Sequence, residues 1–185
     1  MGFMIKNIPN ILTVARMALI PVLIATFYCD GVIAHYVATG IFIFASLTDY
    51  MDGSIAKKFG WQSRFGKIFD PIADKMLVVS TLVMLVDKCD VPILPILAIL
   101  CREVFISGVR EYLAAEEMPM QVNNLGKVKT VIQMVAITIL LLGRGGARFE
   151  YAHQIGVVAI YIAAVMTLIS GYVYVRSGIG GVRGN

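Results

Sequence analysis

The sequence predicts an all-α polytopic membrane protein with six transmembrane helices. Of its 185 residues, 58% are hydrophobic and only 15% are charged, and the mean hydropathy is +0.80. Soluble domains have about 45–50% apolar and about 25% charged residues, so a single soluble core would not bury this much apolar surface. Because a transmembrane helix needs about 20 residues, the chain accommodates several spans with short connections, and a large soluble catalytic domain is excluded.

Apolar windows of spanning length follow one another along the chain, separated by polar or turn-forming connections. We predict spans at residues 8–28, 32–48, 71–87, 91–109, 128–143 and 155–175. The first window lacks a small-residue cleavage pattern and is therefore expected to be a retained helix. Residues 1–185 are expected to form a single membrane domain, with a short juxtamembrane segment at 1–7 and a flexible tail at 178–185.

The basic residues predict an orientation in the membrane. Of the 16 Lys and Arg residues, 13 lie at the two termini or in the second and fourth connections with their flanks. Because cytoplasmic loops carry the excess of Lys and Arg, both termini and these two connections are expected to face the cytoplasm. The same residues are scattered between apolar runs and form no dense patch, so no nucleic-acid partner is expected.

Four of the twelve acidic residues lie in one window at the second connection. Asp49 and Asp52 are three residues apart and Asp70 and Asp74 four apart, so on helices each pair shares one face. Any one of them alone could be a cap or a solvated loop charge, as Asp70 before Pro71 illustrates. Four grouped carboxylates would repel one another at membrane depth. Hard divalent cations such as Mg²⁺ or Mn²⁺ would remove that repulsion, and two such ions are typical of phosphoryl chemistry.

Small residues accompany these aspartates. Gly53 and Gly66 each lie one helical turn from an aspartate, and Ala56 extends the same face as Gly53. A surface without large side chains lets a nucleotide approach the backbone, although close helix packing would explain it equally well.

The acidic window resembles the signature of the CDP-alcohol phosphotransferases, D-x2-D-G-x2-A-R-x8-G-x3-D-x3-D. Every spacing from Asp49 to Asp74 is met, and Lys57 stands where the family usually has arginine. Segments 8–16, 69–75, 101–111 and 126–130 are similar to the bacterial members whose acceptor is glycerol 3-phosphate. The resemblance implies the six-helix fold of this family, a homodimer, a bacterial inner-membrane location and a cytoplasmic active site.

The resemblance also implies an activity and a set of site residues. The reaction would transfer the phosphatidyl group of CDP-diacylglycerol to glycerol 3-phosphate, among membrane lipids and with two divalent cations, Mg²⁺ or Mn²⁺. The implied metal ligands are Asp49, Asp52, Asp70 and Asp74, with Asp74 also as the general base. The implied CDP-binding residues are Asp49, Asp52, Gly53, Ala56, Gly66 and Asp70.

A phosphorylated acceptor requires cations in addition to the four aspartates. The candidates for binding its phosphate are Arg102, Arg110, Lys127 and Lys129. Weaker candidates are Arg16, Lys75, Thr13 and Lys57. The alternative role of the basic side chains is the topology signal itself or contact with lipid headgroups.

Other functions remain open from the sequence. The acceptor could be another alcohol, such as serine, inositol phosphate or a second phospholipid. A cation channel or transporter could also use acidic side chains, although it would place them near the centres of broken helices. A purely structural scaffold would not require the four aspartates.

Overall fold

The computed structural model consists of helices joined by short connections. It describes the backbone of residues 2–59, 64–115, 124–144 and 150–182, and the side chains of residues 10–48, 66, 68–115, 126–144 and 151–176. The helices are α1 (Gly2–Thr26), α2 (Val32–Phe59), α3 (Arg64–Cys89), α4 (Ile93–Ala115), α5 (Asn124–Gly143) and α6 (Glu150–Val182). The predicted all-α class is confirmed.

The helices extend beyond the apolar windows. α2 continues to Phe59 and α3 begins at Arg64, with Pro71 inside it, so the alternative role of Asp70 as a helix cap is wrong. Apolarity marks where a helix meets lipid or core, whereas helical hydrogen bonding continues through polar residues. For the same reason residues 2–7 are helical as part of α1 and residues 178–182 as part of α6; residues 183–185 lie outside the described chain, and the flexible tail stays a prediction.

Each helix packs against two principal neighbours. α1 packs on α2 and α3, α2 on α5, α5 on α6, α6 on α4, and α4 closes the ring against α3. α3 also contacts α2 and α5 across the ring. The helix α3, which carries two of the four aspartates, therefore lies among several helices of the bundle.

Two short connections make sequential helices antiparallel neighbours. Gly31 lies between α1 and α2 with φ of 113°, and Asp90 lies between α3 and α4 with φ of 51°. Glycine adopts positive φ without steric penalty, and aspartate tolerates it better than most residues.

α5 and α6 approach each other closely at two glycines. A Cβ added at Gly156 would lie 2.7 Å from Leu140 Cδ2 and 3.1 Å from Leu140 N, and one added at Gly143 would lie 2.8 Å from the His153 backbone. Small residues allow this kind of helix contact in membrane proteins. The α5–α6 contact is accordingly the most extensive helix pair in the described chain.

The bundle is apolar inside and outside. Phe42, Leu77 and Ile137 are completely buried in its core, while large apolar side chains such as Ile33 and Val104 are 80% and 73% exposed on its outer surface. Exposed apolar surface of this extent suits contact with lipid better than contact with water.

Two helices within the described residues are long and apolar enough to cross a membrane. They are Gly126–Gly143 and Tyr151–Arg176, with mean hydropathies of 1.5 and 2.0. Asn10–Thr26 and Val32–Thr48 are apolar but shorter. The prediction of six spans therefore stays a prediction.

Aromatic and basic side chains meet at the end of α3 that lies away from the aspartates. Arg144 Nη2 donates to the Phe27 carbonyl at 3.5 Å, and its guanidinium lies 3.9 Å from the centre of the Phe27 ring. The three cysteines are free: Cys29 and Cys101 are exposed and Cys89 is half-buried. Burial raises the pKa of the Cys89 thiol to about 11, although nearby Arg144 opposes this shift.

Candidate active site

The two pairs of aspartates lie on two helices. α2 is continuous through Asp49 and Asp52, and α3 is continuous through Asp70 and Asp74. The spacing of three and four residues therefore gives each pair a common helical face. Gly66 is buried and lies one turn before Asp70 on α3.

Several predicted residues on α2 have side chains outside the described part of the structure. They are Asp49, Asp52, Gly53, Ala56 and Lys57. Their predicted roles in metal and CDP binding stay predictions, supported by their place on a continuous helix.

Helix α1 positions the first aspartate of α3. Thr13 is 1% exposed, and its hydroxyl donates a hydrogen bond to Asp70 Oδ1. Arg16 lies one turn further along α1 and is 3% exposed. Two of the weaker candidates, Thr13 and Arg16, are therefore buried polar groups on the α1 face nearest to Asp70. Burying a charge such as that of Arg16 is costly without compensation.

Glu103 joins two of the predicted cations. Its Oε1 accepts hydrogen bonds from Arg102 Nη1 at 3.1 Å and from Lys129 Nζ. Lys129 is 4% exposed, so this cation is neutralised largely inside the bundle. The ion pair between Glu103 and Lys129 connects α4 to α5.

Helix α6 supports Arg102 from the other side. Arg102 Nη2 donates to Ser170 Oγ at 2.9 Å, and Ser170 Oγ donates to the Thr167 carbonyl at 3.1 Å. A Cβ added at Gly171 would lie 3.2 Å from Arg102 Cγ. The Arg102 side chain thus lies across α6 at Gly171, which has no side chain to displace it.

Lys75 connects α3 to α4. Its ammonium donates to Ser107 Oγ, whose hydroxyl donates to the Glu103 carbonyl at 2.6 Å. Lys75, Glu103 and Lys129 are therefore held together where α3, α4 and α5 meet.

These three helices enclose a pocket of about 40 Å³. The pocket is lined by Asp74, Lys75, Val78, Val79, Glu103, Lys129, Thr130, Gln133 and Met134. The structure thus brings the predicted base, Asp74, and a predicted phosphate-binding residue, Lys129, to one cavity. An anionic acceptor with a hydroxyl group fits such a combination of carboxylate and ammonium groups.

Arg110 and Lys127 lie apart from this pocket. Arg110 is exposed, its Nε donates to the Tyr174 hydroxyl at 3.3 Å, and its guanidinium lies 5.8 Å from the centre of the Tyr174 ring. Lys127 is exposed on the first turn of α5. The four cations predicted to bind phosphate therefore divide into two that pair with Glu103, of which Lys129 is buried and Arg102 partly buried, and two that are exposed.

Gln133 lines the pocket but is not among the site residues predicted from the sequence. It is 4% exposed, and its Oε1 is buried without a hydrogen-bond partner among the described residues. It follows Lys129 by one helical turn in an otherwise apolar stretch of α5. The sequence feature that could have identified Gln133 is a single amide side chain in an apolar window, one helical turn from the basic candidate Lys129.

The metal prediction rests on the chemistry of its donors. Among the side chains that the structure describes, no group of three His, Cys, Asp or Glu is placed to hold a metal ion. Of the four predicted carboxylates, Asp70 and Asp74 belong to that part of the chain. Oxygen donors spaced one turn apart fit a hard divalent cation, so the residues present suit the predicted ions.

The chain matches the family model described as CDP-alcohol phosphatidyltransferase over residues 6–169. It belongs to the CDP-alcohol phosphatidyltransferase family. This range includes the acidic window, both helices that carry it and all residues lining the pocket. The family resemblance noted in the sequence is confirmed.

Relatives extend the match over almost the whole chain. A protein of Rickettsia bellii named CDP-diacylglycerol–glycerol-3-phosphate 3-phosphatidyltransferase is 45% identical, covering 93% of this chain and 95% of its own. An Arabidopsis thaliana protein with the same name and the number 2 is 39% identical over 92% of this chain and 78% of its own. A cardiolipin synthase (CMP-forming) of Oryza sativa is also 39% identical, over 92% of this chain and 56% of its own.

Proposed function

We propose that this member of the family is a phosphatidylglycerophosphate synthase, which transfers the phosphatidyl group of CDP-diacylglycerol to glycerol 3-phosphate and releases CMP. The observation that carries the proposal is the pocket in which Asp74 lies with Lys75 and Lys129. A carboxylate beside ammonium groups suits an acceptor that has a hydroxyl to deprotonate and a phosphate to neutralise. The names of the Rickettsia relatives support the same acceptor.

The reaction requires one displacement at phosphorus. The 1-hydroxyl of glycerol 3-phosphate attacks the β-phosphorus of CDP-diacylglycerol, a new phosphorus–oxygen bond forms, and the bond to the oxygen of CMP breaks. Asp74 accepts the proton of the attacking hydroxyl. Thr13 holds Asp70 in position through its hydrogen bond.

The four aspartates supply a binding site for two divalent cations. Asp49, Asp52, Asp70 and Asp74 would hold Mg²⁺ or Mn²⁺, which when bound neutralises negative charge on the pyrophosphate. Gly53 and Ala56 would form the wall against the cytidine, together with Gly66. The side chains of this chain then only have to position the two substrates and take up one proton.

Acceptor phosphate binding is assigned to the cations of α4 and α5. Lys129 and Arg102 are both held by the single carboxylate of Glu103, so the three side chains together carry one positive charge and have little side-chain freedom to lose. Arg110 and Lys127 are exposed and would reach the phosphate from the side open to water. Lys57 keeps the positive charge of the family arginine without its bidentate geometry.

The proposal includes a membrane arrangement. All six helices have 20 or more residues, and about 20 residues span the hydrocarbon core. We place residues 1–185 in the bacterial inner membrane as one domain of six spans and as a homodimer. The termini and the aspartates would face the cytoplasm.

A CMP-release assay tests the proposed function. Purified protein in detergent with Mg²⁺ or Mn²⁺ should release CMP from CDP-diacylglycerol only when glycerol 3-phosphate is added. Parallel reactions contain serine, inositol phosphate or phosphatidylglycerol instead; the last is included because a relative is named cardiolipin synthase. Equal release with another alcohol, or none with any alcohol, would remove the assignment.

A further inference from the structure

Gln133 lines the pocket that contains Asp74 and carries an unused hydrogen-bonding group. Its side chain is 4% exposed, and within the described chain its Oε1 is buried without a partner. Burying an unpaired amide oxygen is unfavourable. An amide at such a position is explained if a bound molecule donates the hydrogen bond that Gln133 Oε1 lacks among the described residues.

The pocket has the size of a small polar group. Its volume is about 40 Å³, whereas about 10–15 Å³ measured in this way holds one water molecule. It therefore has room for about three water-sized groups, such as the part of an acceptor that carries its hydroxyl groups, and not for a whole glycerol 3-phosphate molecule. Asp74 and Gln133 both line it.

We propose that Gln133 determines acceptor specificity by accepting a hydrogen bond from the 2-hydroxyl of glycerol 3-phosphate. This inference rests on the proposed function, because Asp74 must take the proton of the neighbouring 1-hydroxyl. The two hydroxyls of the acceptor are on adjacent carbons, so a molecule that presents one to Asp74 presents the other within the same cavity. An acceptor without the 2-hydroxyl leaves the amide oxygen unpaired.

A water molecule occupies this position in the resting protein under the proposal. The 2-hydroxyl displaces that water and reproduces its hydrogen bond, whereas a methylene group displaces it without replacement. Discrimination between an acceptor with a 2-hydroxyl and one with a methylene group in its place should therefore depend on the Gln133 amide. It should not depend on charge, because the two acceptors carry the same phosphate.

The test compares two acceptors in each of several variants. Glycerol 3-phosphate and propane-1,3-diol monophosphate differ by the 2-hydroxyl only, and the ratio of their kcat/KM values is measured by CMP release. A single hydrogen bond to a buried group corresponds to about tenfold in this ratio, so the wild-type protein should prefer glycerol 3-phosphate by about tenfold or more. Gln133→Met keeps the length of the side chain, removes the amide and should bring the ratio close to one.

Two further variants separate recognition from folding. Gln133→Glu retains an acceptor oxygen at the same distance and should keep the wild-type preference. Thr167→Val is a matched control, because Thr167 Oγ1 is also buried without a partner in the described structure but lies outside the pocket. It should keep the preference as well. Gln133→Leu replaces Gln133→Met if the latter is not recovered folded.

The outcomes distinguish the two proposals. A wild-type protein that turns over glycerol 3-phosphate without preferring it over the deoxy acceptor overturns the role of Gln133. The same holds if Gln133→Met retains the wild-type ratio. A wild-type protein that releases no CMP with glycerol 3-phosphate refutes the proposed function itself, and the assignment of Gln133 to that acceptor with it.

Discussion

Replacement of Glu103 by glutamine tests the cation pair at the pocket. Glu103 Oε1 accepts from both Arg102 and Lys129, and Lys129 is 4% exposed. Glutamine keeps the size and one acceptor oxygen but removes the carboxylate that is hydrogen-bonded to the buried ammonium group. Removing one partner of a buried ion pair costs about 3–5 kcal/mol. The Glu103 side chain is 19% exposed, so we expect about 3 kcal/mol.

Unfolding in detergent micelles, followed by circular dichroism, measures the loss. The double variant Glu103→Gln/Lys129→Met should recover about 2 kcal/mol of it, because contacting residues are coupled on this scale and the buried ammonium group is removed together with its carboxylate. Asp87→Asn is the matched control, since Asp87 and Lys88 form an ion pair at 3.0 Å on the surface. It should leave the melting temperature unchanged. A stable Glu103→Gln protein, or additive losses in the double variant, would refute the reasoning.

Three other predictions concern the base, the α5–α6 contact and the cysteines. Asp74→Asn should lower kcat by about 10³-fold or more with an unchanged circular dichroism spectrum; near-normal turnover would exclude Asp74 as the base. Gly156→Ala should lower the free energy of unfolding by about 1–3 kcal/mol, because its Cβ would lie 2.7 Å from a leucine of α5. Gly108→Ala is its control, because a Cβ added there would have no atom within 4 Å beyond its own helix backbone and chain neighbours, and equal stability of the two variants would contradict the packing argument. An impermeant maleimide added to intact cells should label Cys29, which is exposed between α1 and α2, and labelling only after permeabilisation would reverse the proposed orientation. Cys89 should be labelled much more slowly than Cys29 near neutral pH, because burial raises the pKa of its thiol to about 11 and the thiolate is the nucleophile; mass spectrometry of the labelled peptides gives both results.

The acidic window shows what local spacing predicts well. Intervals of three and four residues determine a shared helical face for Asp49 with Asp52 and for Asp70 with Asp74, whatever surrounds them. The helix ends were less predictable, because hydropathy changes where lipid contact ends and not where backbone hydrogen bonding ends. α3 therefore begins before Asp70 and includes Pro71.

The sequence pattern did not predict which side chains of distant helices contact one another. The basic candidates were recognised by charge, but Arg102 is held by Ser170 on α6, 68 residues away. Gln133 joins Asp74 only because α5 packs beside α3. Such pairings depend on tertiary packing, and neither residue carries a local signal of its partner.

The pocket has walls from three different helices, α3, α4 and α5. A molecule that fills it contacts all three at once, and those contacts exist only in the folded bundle. Its binding must therefore raise the melting temperature, by an amount that corresponds to about 2.7 kcal/mol at a hundredfold excess over Kd. Candidate acceptor alcohols can consequently be ranked by thermal shift alone, without CDP-diacylglycerol and without turnover.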